Sequence, residues 1–184
     1  MQPLTAAPRD MYTADQVLAA LAADDQVWGY GVDLLKPDLT FVEDISGDVS
    51  ACTVSRNTGA VPHGSIDMSL SRELRWGVDR VRPYALLTVP SLGVKDMRFN
   101  QGVYILQSPQ PVLSESPRSY SVAGQDQLSL LQYYATQSWA AIGGDNVLDG
   151  VRSVLTAAGI PAPVQIDSSA SAATVAATGR VWPM

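Results

Sequence analysis

The chain has 184 residues, of which 46% are hydrophobic and 16% are charged, so it can build one domain with appendages or the start of a second. Its net charge of −6 argues against a nucleic-acid-binding protein, which needs a basic face to release counterions from phosphate. Neither a long uncharged apolar run nor the pattern of a signal peptide is visible, so we expect no transmembrane helix and no leader.

The charge is unevenly distributed along the chain. Residues 1–48 carry nine acids and two bases, residues 49–126 carry six acids and eight bases, and residues 127–184 carry three acids and two bases. An acidic first quarter followed by a mildly basic middle favours charge-complementary packing between copies of one chain.

The first helix is predicted directly after an N-terminal arm, residues 1–12. Thr13 and Gln16 have the spacing of a capping box, and the helix should end near Ala23. Its predicted apolar stripe consists of Val17, Leu18 and Leu21.

From Trp28 the apolar pattern changes to a period of two, which predicts strands. Residues 28–36 place alternate apolar side chains on one face, and residues 65–71 alternate most strictly of all. Turn residues separate these segments. The predicted strands of this part are 28–36, 39–45, 49–55 and 65–71.

Four arginines lie between residues 72 and 82, interleaved with acids and a tryptophan. A basic patch with an aromatic residue is typical of surfaces that stack on nucleic acid. Because the acids halve its charge, we favour a connecting loop or short helix whose arginines pair with nearby acids or with a neighbouring subunit. The candidate subunit-interface residues are Arg72, Arg75, Trp76, Asp79, Arg80 and Arg82. The first helix is a second candidate for such contacts.

Three further β-type runs follow, at residues 84–89, 102–107 and 118–123. Their order predicts consecutive antiparallel strands, the first covered on both faces. Residues 92–100 are predicted to form a long hairpin loop, and Gly124 to Asp126 a turn into a helix that begins at Leu128.

The last part of the chain is predicted to hold a second helix. Asp145 is its expected N-cap, and Gly159 with Pro161 its stop. Residues 163–167 could be one more strand, and the chain is expected to continue past Met184. The apolar positions of this helix are Val147, Leu148, Val151, Val154 and Leu155.

The sequence therefore predicts a mainly β (α+β) protein, an antiparallel barrel or sandwich with flanking helices. The expected domains are an arm and helix at 1–25, a β domain at 26–134, and residues 135–184 leading to a further domain.

Residue types that carry catalysis are few. Cys52 stands alone, which excludes an internal disulfide and a cysteine zinc cluster, and we expect it to be a buried core thiol. His63 is the only histidine, so no histidine-based triad or two-histidine metal site can form within one subunit.

Other catalytic patterns also fail. Gly143-Gly144 lacks the lysine and spacing of a phosphate loop, and no G-x-S-x-G is present. The acid pairs Asp24-Asp25 and Glu43-Asp44 lie in predicted turns, where solvated acids are common. We therefore expect no enzyme, no cofactor and no metal site.

Three segments occur in a suggestive order: Trp76…Asp79-Arg80-Val81-Arg82-Pro83, then NQGVYILQSP from Asn100, then YSVAGQD from Tyr120. With the strand SIDMSLS before them, they resemble minor tail proteins of phages that infect actinobacteria, the tail-hub or baseplate-hub proteins of long-tailed phages. The resemblance covers roughly residues 26–160. The chain is shorter than such hubs usually are.

The resemblance implies a β-barrel or sandwich related to tail-tube subunits. It also implies a homotrimer in the virion tail, assembled in the host cytoplasm. The partners would be the tail tube or distal tail protein, other tail-tip proteins and the tape-measure protein. DNA would pass through the channel without specific binding, which agrees with the acidic bias.

Two alternatives stay open. The first is another component of the same tail, a distal-tail protein or a carbohydrate-binding receptor module. The tryptophans that could stack on a sugar, Trp28, Trp76, Trp139 and Trp182, are too scattered in the sequence to decide. The second and less favoured alternative is a cell-wall hydrolase.

Overall fold

A computed structural model describes residues 12–57, 64–109, 119–134 and 146–160. The helices are α1 (Ala14–Ala22), α2 (Ser129–Tyr134) and α3 (Val147–Ala157), and short 3₁₀ turns lie at Ser46–Asp48 and Pro90–Leu92. The strands are β1 (Val27–Leu35), β2 (Phe41–Asp44), β3 (Val49–Arg56), β4 (Gly64–Leu70), β5 (Arg80–Val89), β6 (Val94–Asn100), β7 (Tyr104–Leu106) and β8 (Tyr120–Asp126). The predicted mainly β, antiparallel α+β class is confirmed.

The chain divides into two compact units. The first comprises Met1–Ser55 and Ser65–Gly124, and the second comprises Arg56–Gly64 and Gln125–Met184. The domain limits expected from the sequence stay a prediction. None of the described helices is long and apolar enough to cross a membrane.

The eight strands form one sheet in the order β2-β1-β5-β7-β8-β4-β3, with β6 paired to the other end of β5. The β1–β2 and β1–β5 pairs are antiparallel, as are β5–β6 and β5–β7. The neighbours β5, β7 and β8 are the three consecutive strands that the sequence predicted. β5 pairs with β1, β6 and β7, and seven of its ten residues are buried, which accounts for its largely apolar sequence.

The sheet curves around one core. Val32 of β1 and Ile66 of β4 belong to the same buried cluster, although three strands separate β1 from β4 in the sheet. In a flat sheet four strand spacings would put them about 19 Å apart, which is too far for contact. The core therefore fills the concave side of the sheet, as in a barrel that is not closed.

Helix α1 covers a second, smaller cluster at the far end of β5. The capping box of Thr13 and Gln16 is present, as predicted. The helix buries Ala20 and half-buries Val17 against β5 and β6. The predicted stripe is wrong in part, because Leu18 and Leu21 are 50% and 44% exposed and face away from the cluster.

Three further sequence expectations are wrong in detail. Residues 92–100 form strand β6 after a short turn and are not a long loop. Gly124 to Asp126 continue β8 and do not form a turn; the glycine allows close packing inside the sheet, since a Cβ there would lie 2.7 Å from Ile66 and 2.9 Å from the carbonyl oxygen of Ile105. Cys52 is exposed on β3, not buried in the core.

Some expectations fall on residues outside the described ranges. These are the arm up to residue 11, His63, Arg118, Asp145 and the strand at residues 163–167. At the start of α3 the N-cap is Asn146, whose side chain accepts a hydrogen bond from the N–H of Leu148 at 2.9 Å.

Candidate functional site

The six candidate interface residues lie on the connection from β4 to β5 and at the start of β5. Arg72, Arg75, Trp76 and Asp79 belong to the connection. Arg80 and Arg82 are part of β5 itself, where they lie opposite β1. Four of the six residues therefore lie on the connection and two lie on a strand.

Arg72 ties the connection to the other end of the sheet. Its Nη2 lies 2.6 Å from Glu43 Oε1 on β2, and its Nη1 lies 3.6 Å from Asp48 Oδ2. The hydrogen bond to Glu43 raises the pKa of Arg72, and the same bond lowers the pKa of Glu43. All three side chains are partly exposed, so the contribution to stability is small.

Arg75 and Asp79 are hydrogen-bonded to each other within the connection from β4 to β5. Arg75 donates from Nη2 and Nε to the two carboxylate oxygens of Asp79, at 2.5 and 3.2 Å. The backbone N–H of Arg75 also donates to Asp79 at 3.1 Å. These bonds raise the pKa of Arg75 and fix a turn in which Trp76 packs beside Tyr120, with ring centroids 5.6 Å apart.

Arg80 is buried under this turn. Its Nη1 donates to the carbonyl oxygens of Val78, at 2.6 Å, and Gly77, at 3.3 Å, while its Nε has no hydrogen-bond partner among the described residues. Burial lowers the pKa of Arg80, and the charge of Asp79 opposes that effect. Arg80 therefore acts as a cap on backbone carbonyls.

Arg82 belongs to a polar cluster that crosses four strands, which we call the Asp33 cluster. Asp33 of β1 is 2% exposed and accepts two hydrogen bonds from Arg82 of β5, at 2.9 and 2.6 Å, and one from Arg98 of β6. The Arg98 guanidinium lies 3.7 Å from the centre of the Tyr84 ring. The members are Asp33, Asp44, Arg82, Tyr84 and Arg98.

The cluster reaches β2 through the Tyr84 ring, which crosses over Gly31. The Tyr84 hydroxyl donates to Asp44 Oδ2 at 2.5 Å, and the Ser46 N–H donates to Asp44 Oδ1 at 2.8 Å. A Cβ atom on Gly31 would lie 2.3 Å from the Tyr84 ring, so only glycine leaves room for it. Burial and the Asp44 bond raise the pKa of Tyr84.

Sequence reasoning found Arg82 but missed the rest of the Asp33 cluster. A signal was present at Asp33, since a carboxylate inside the apolar strand WGYGVDLL must be exposed, paired or neutralised. Arg98 was missed because residues 92–100 were predicted to form a loop, so no pairing of this segment with β5 was expected.

Asp44 makes the cluster sensitive to acid. Hydrogen bonds from Ser46 and then from Tyr84 hold the pKa of Asp44 below its ordinary value of 3.8. A depressed folded-state pKa contributes stability above the unfolded pKa, and that stability is lost as pH falls through the folded pKa. We expect Asp44→Asn to flatten the fall in urea midpoint between about pH 5 and pH 2. Parallel curves for the two proteins would contradict this.

A groove lies between β1 and β3 within the first unit. Its volume is about 450 Å³, and its lining is uncharged. Exposed Cys52 lies on its β3 side, and partial burial in the groove raises the pKa of this thiol. Within the described residues, no three His, Cys, Asp or Glu side chains are grouped as metal ligands. The lining residues are Tyr30, Gly31, Val32, Ser46, Val49, Ser50, Ala51, Cys52, Val54, Pro83, Tyr84 and Gln101.

The comparisons with known proteins found little. No protein-family model matches the chain, and no curated protein does. A crystal structure of the tail protein from Neisseria meningitidis MC58 matches with 18% identity and a TM-score of 0.38. The match covers 70% of this chain and 33% of that protein's chain, so it spans one third of that protein's length. A TM-score this low decides neither the fold nor the function of the chain.

Proposed function

We propose that the chain is a structural, non-enzymatic subunit of a bacteriophage tail. In the finer form of the proposal it is a tail-tip hub that forms a homotrimer, caps the tail tube and lines the DNA channel. Its neighbours would be the tail tube or distal tail protein and the tape-measure protein. The order of the segments around Trp76, Asn100 and Tyr120 supports this proposal, as does the mainly β fold.

The observation that carries an assembly role is a set of exposed apolar side chains on three elements of the first unit. Tyr30 has the largest exposure of the set, at 78%, and several large apolar side chains in water favour a surface that other proteins cover. The set is Leu18 and Leu21 on α1, Val27, Trp28 and Tyr30 on β1, and Phe41 and Val42 on β2.

The arginines support the view that DNA passes and is not held. Arg72, Arg75 and Arg82 each form an ion pair with an acid of the same chain. A guanidinium that is already neutralised offers little to a phosphate backbone. The subunit-interface role of these residues stays a prediction, and Arg75, with 67% of its side chain exposed, is the best placed to contact a neighbour.

The assembly proposal predicts that Leu18→Asp combined with Leu21→Asp lowers the oligomeric state. Both leucines are exposed, so the charges should leave the fold intact while opposing burial at an interface. Light scattering during size-exclusion chromatography measures the mass. We expect three copies for the unmodified chain and monomers for the double variant. Val151→Asp on α3 is the matched control, because it also puts a charge at an exposed apolar residue of a helix, and it should leave the mass unchanged.

A monomeric unmodified chain, or a double variant with unchanged mass, would count against the proposal. Ring-shaped particles with three-fold symmetry in electron micrographs would support the hub specifically.

A second candidate is a carbohydrate-binding receptor module of the same tail. Tyr30 favours it, because an exposed aromatic ring that lines a groove can stack on a sugar. A glycan array tests it, with a monomer whose glycan binding is lost in Tyr30→Ala as the supporting result.

A further inference from the structure

In the first part of β1, one edge of the strand is not paired with another strand. β1 pairs with β5 along all nine of its residues, but β2 covers its other edge only at Asp33, Leu34 and Leu35. We propose that this edge and the groove beside it bind an extended, uncharged peptide segment of a partner protein, which adds a strand to the sheet. The proposal goes beyond the tail function and does not depend on it.

The pairing of β1 with β5 shows which backbone groups of β1 point away from β5. Val32 lies opposite Pro83, which has no N–H, so the two cannot exchange a pair of hydrogen bonds. Along an antiparallel pair of strands, residue pairs that exchange hydrogen bonds alternate with pairs that do not. Trp28 and Tyr30, four and two residues before Val32, therefore also belong to pairs without hydrogen bonds, and their N–H and C=O groups point away from β5. Among the described strands, β2 is the neighbour of β1 on that side, and it does not reach these two residues.

At Val32, the next position along this edge, both backbone groups already have hydrogen-bond partners within the chain. At Val32 the N–H donates to Ser46 Oγ at 2.9 Å, and the C=O accepts from the N–H of Ile45 at 2.9 Å. The 3₁₀ turn thus satisfies Val32 as a neighbouring strand would. Ser46 of this turn also lines the groove, and from Val32 the positions that β2 does not pair run on through Tyr30 to Trp28.

The opposite wall of the groove is also a strand edge. β3 is the last strand of the sheet order, and its residues 49–52 line the groove in succession. Two strand edges that face one space suit a single extended segment between them better than a folded domain. Strand addition of this kind draws affinity from main-chain hydrogen bonds.

The lining decides the chemistry of the segment. None of the residues that line the groove is charged, and Val32, Val49 and Val54 form an apolar floor beside the core. A buried charge without a partner would be costly there. We therefore expect uncharged residues throughout the bound segment, with apolar side chains at alternate positions toward the floor.

Proline at position 30 tests the edge without breaking the sheet. Tyr30→Pro removes an N–H that β5 does not use, and Gly29 before it lacks the Cβ that would clash with the proline ring. Tyr30→Ala is the matched control, because it removes the same ring and keeps the N–H. A second variant, Ala51→Lys, places a charge in the groove from the exposed surface of β3.

The probe is a displayed library of random peptides of about twelve residues, selected against the full chain. Enriched peptides are then synthesised and their binding is measured by fluorescence anisotropy. We expect an uncharged core with alternating apolar residues. We also expect affinity to fall about tenfold or more in Tyr30→Pro and Ala51→Lys, and less in Tyr30→Ala. Thermal melting by circular dichroism checks that each variant is folded.

Several outcomes would overturn the proposal. The selection could enrich no peptide, or it could enrich peptides with many charged residues. An enriched peptide could also bind the unmodified chain and the folded variants Tyr30→Pro and Ala51→Lys with equal affinity. Self-association that these two variants abolish, and that an enriched peptide displaces, would assign the edge to a second copy of the chain. Glycan binding at Tyr30 without peptide binding would assign the groove to a sugar.

Discussion

Asp33→Asn is expected to lower the free energy of unfolding by about 3 kcal/mol, because it removes the charge that two arginines share. Asp33 is buried, while Arg82 and Arg98 keep about a quarter of their side chains exposed, so the loss should lie at the lower end for a buried ion pair. Urea titration followed by circular dichroism measures it. The melting temperature should fall by about 6 to 12 °C.

Two further variants show whether the loss of stability in Asp33→Asn comes from the lost ion pairs or from any Asp-to-Asn substitution. Asp67→Asn changes an exposed acid of β4 and should alter stability by less than about 0.5 kcal/mol. Replacing Asp33 by leucine together with methionine at Arg82 and Arg98 leaves no unpaired charge, and should recover much of the loss. Equal stability of Asp33→Asn and the unmodified chain would contradict the role given to Asp33.

Local patterns in the sequence predicted much of the fold. The capping box of Thr13 and Gln16, the alternation in β4 and the apolar run of β5 are each decided by neighbours in the chain. A period of two follows directly from one buried face and one wetted face. These elements formed as predicted because their own residues specify them.

Strand β6 was missed because its pattern is interrupted. The β5–β6 register shifts between Leu87 and Val89, and Asp96 has a φ of 51°. An irregularity of this kind puts an extra residue into one strand, so buried Val94 and Met97 are three residues apart and not two. The spacing therefore suggested a loop.

The Asp33 cluster depends on register between strands that are distant in sequence. Asp33 lies directly opposite Arg82, and Arg98 reaches the same carboxylate from β6. The sequence predicted a connecting loop or short helix for the segment from Arg72 to Arg82. Only the pairing of β1 with β5 shows that the last two arginines of this group belong to the sheet.

Gly31→Ala tests the same cluster from its backbone side. The new Cβ would lie 2.3 Å from Cζ and the hydroxyl oxygen of Tyr84 and 2.6 Å from Ser46 Oγ. The ring must move, which breaks its hydrogen bond to Asp44 and its contact with Arg98. We expect a loss of about 2 to 3 kcal/mol, measured by urea titration.

The sign of this effect distinguishes it from ordinary strand propensity. Alanine normally stabilises a strand interior relative to glycine by about 0.5 to 1 kcal/mol. Gly29→Ala, two residues earlier on the same face, meets only Leu86 Cβ at 3.6 Å and should be neutral or stabilising. If the Tyr84 ring is the main cause, Gly31→Ala should cost much less in a Tyr84→Val background, where only Ser46 Oγ still lies close to the new Cβ. An equal cost in both backgrounds would show that Ser46 or the backbone of β1, and not the Tyr84 ring, requires glycine.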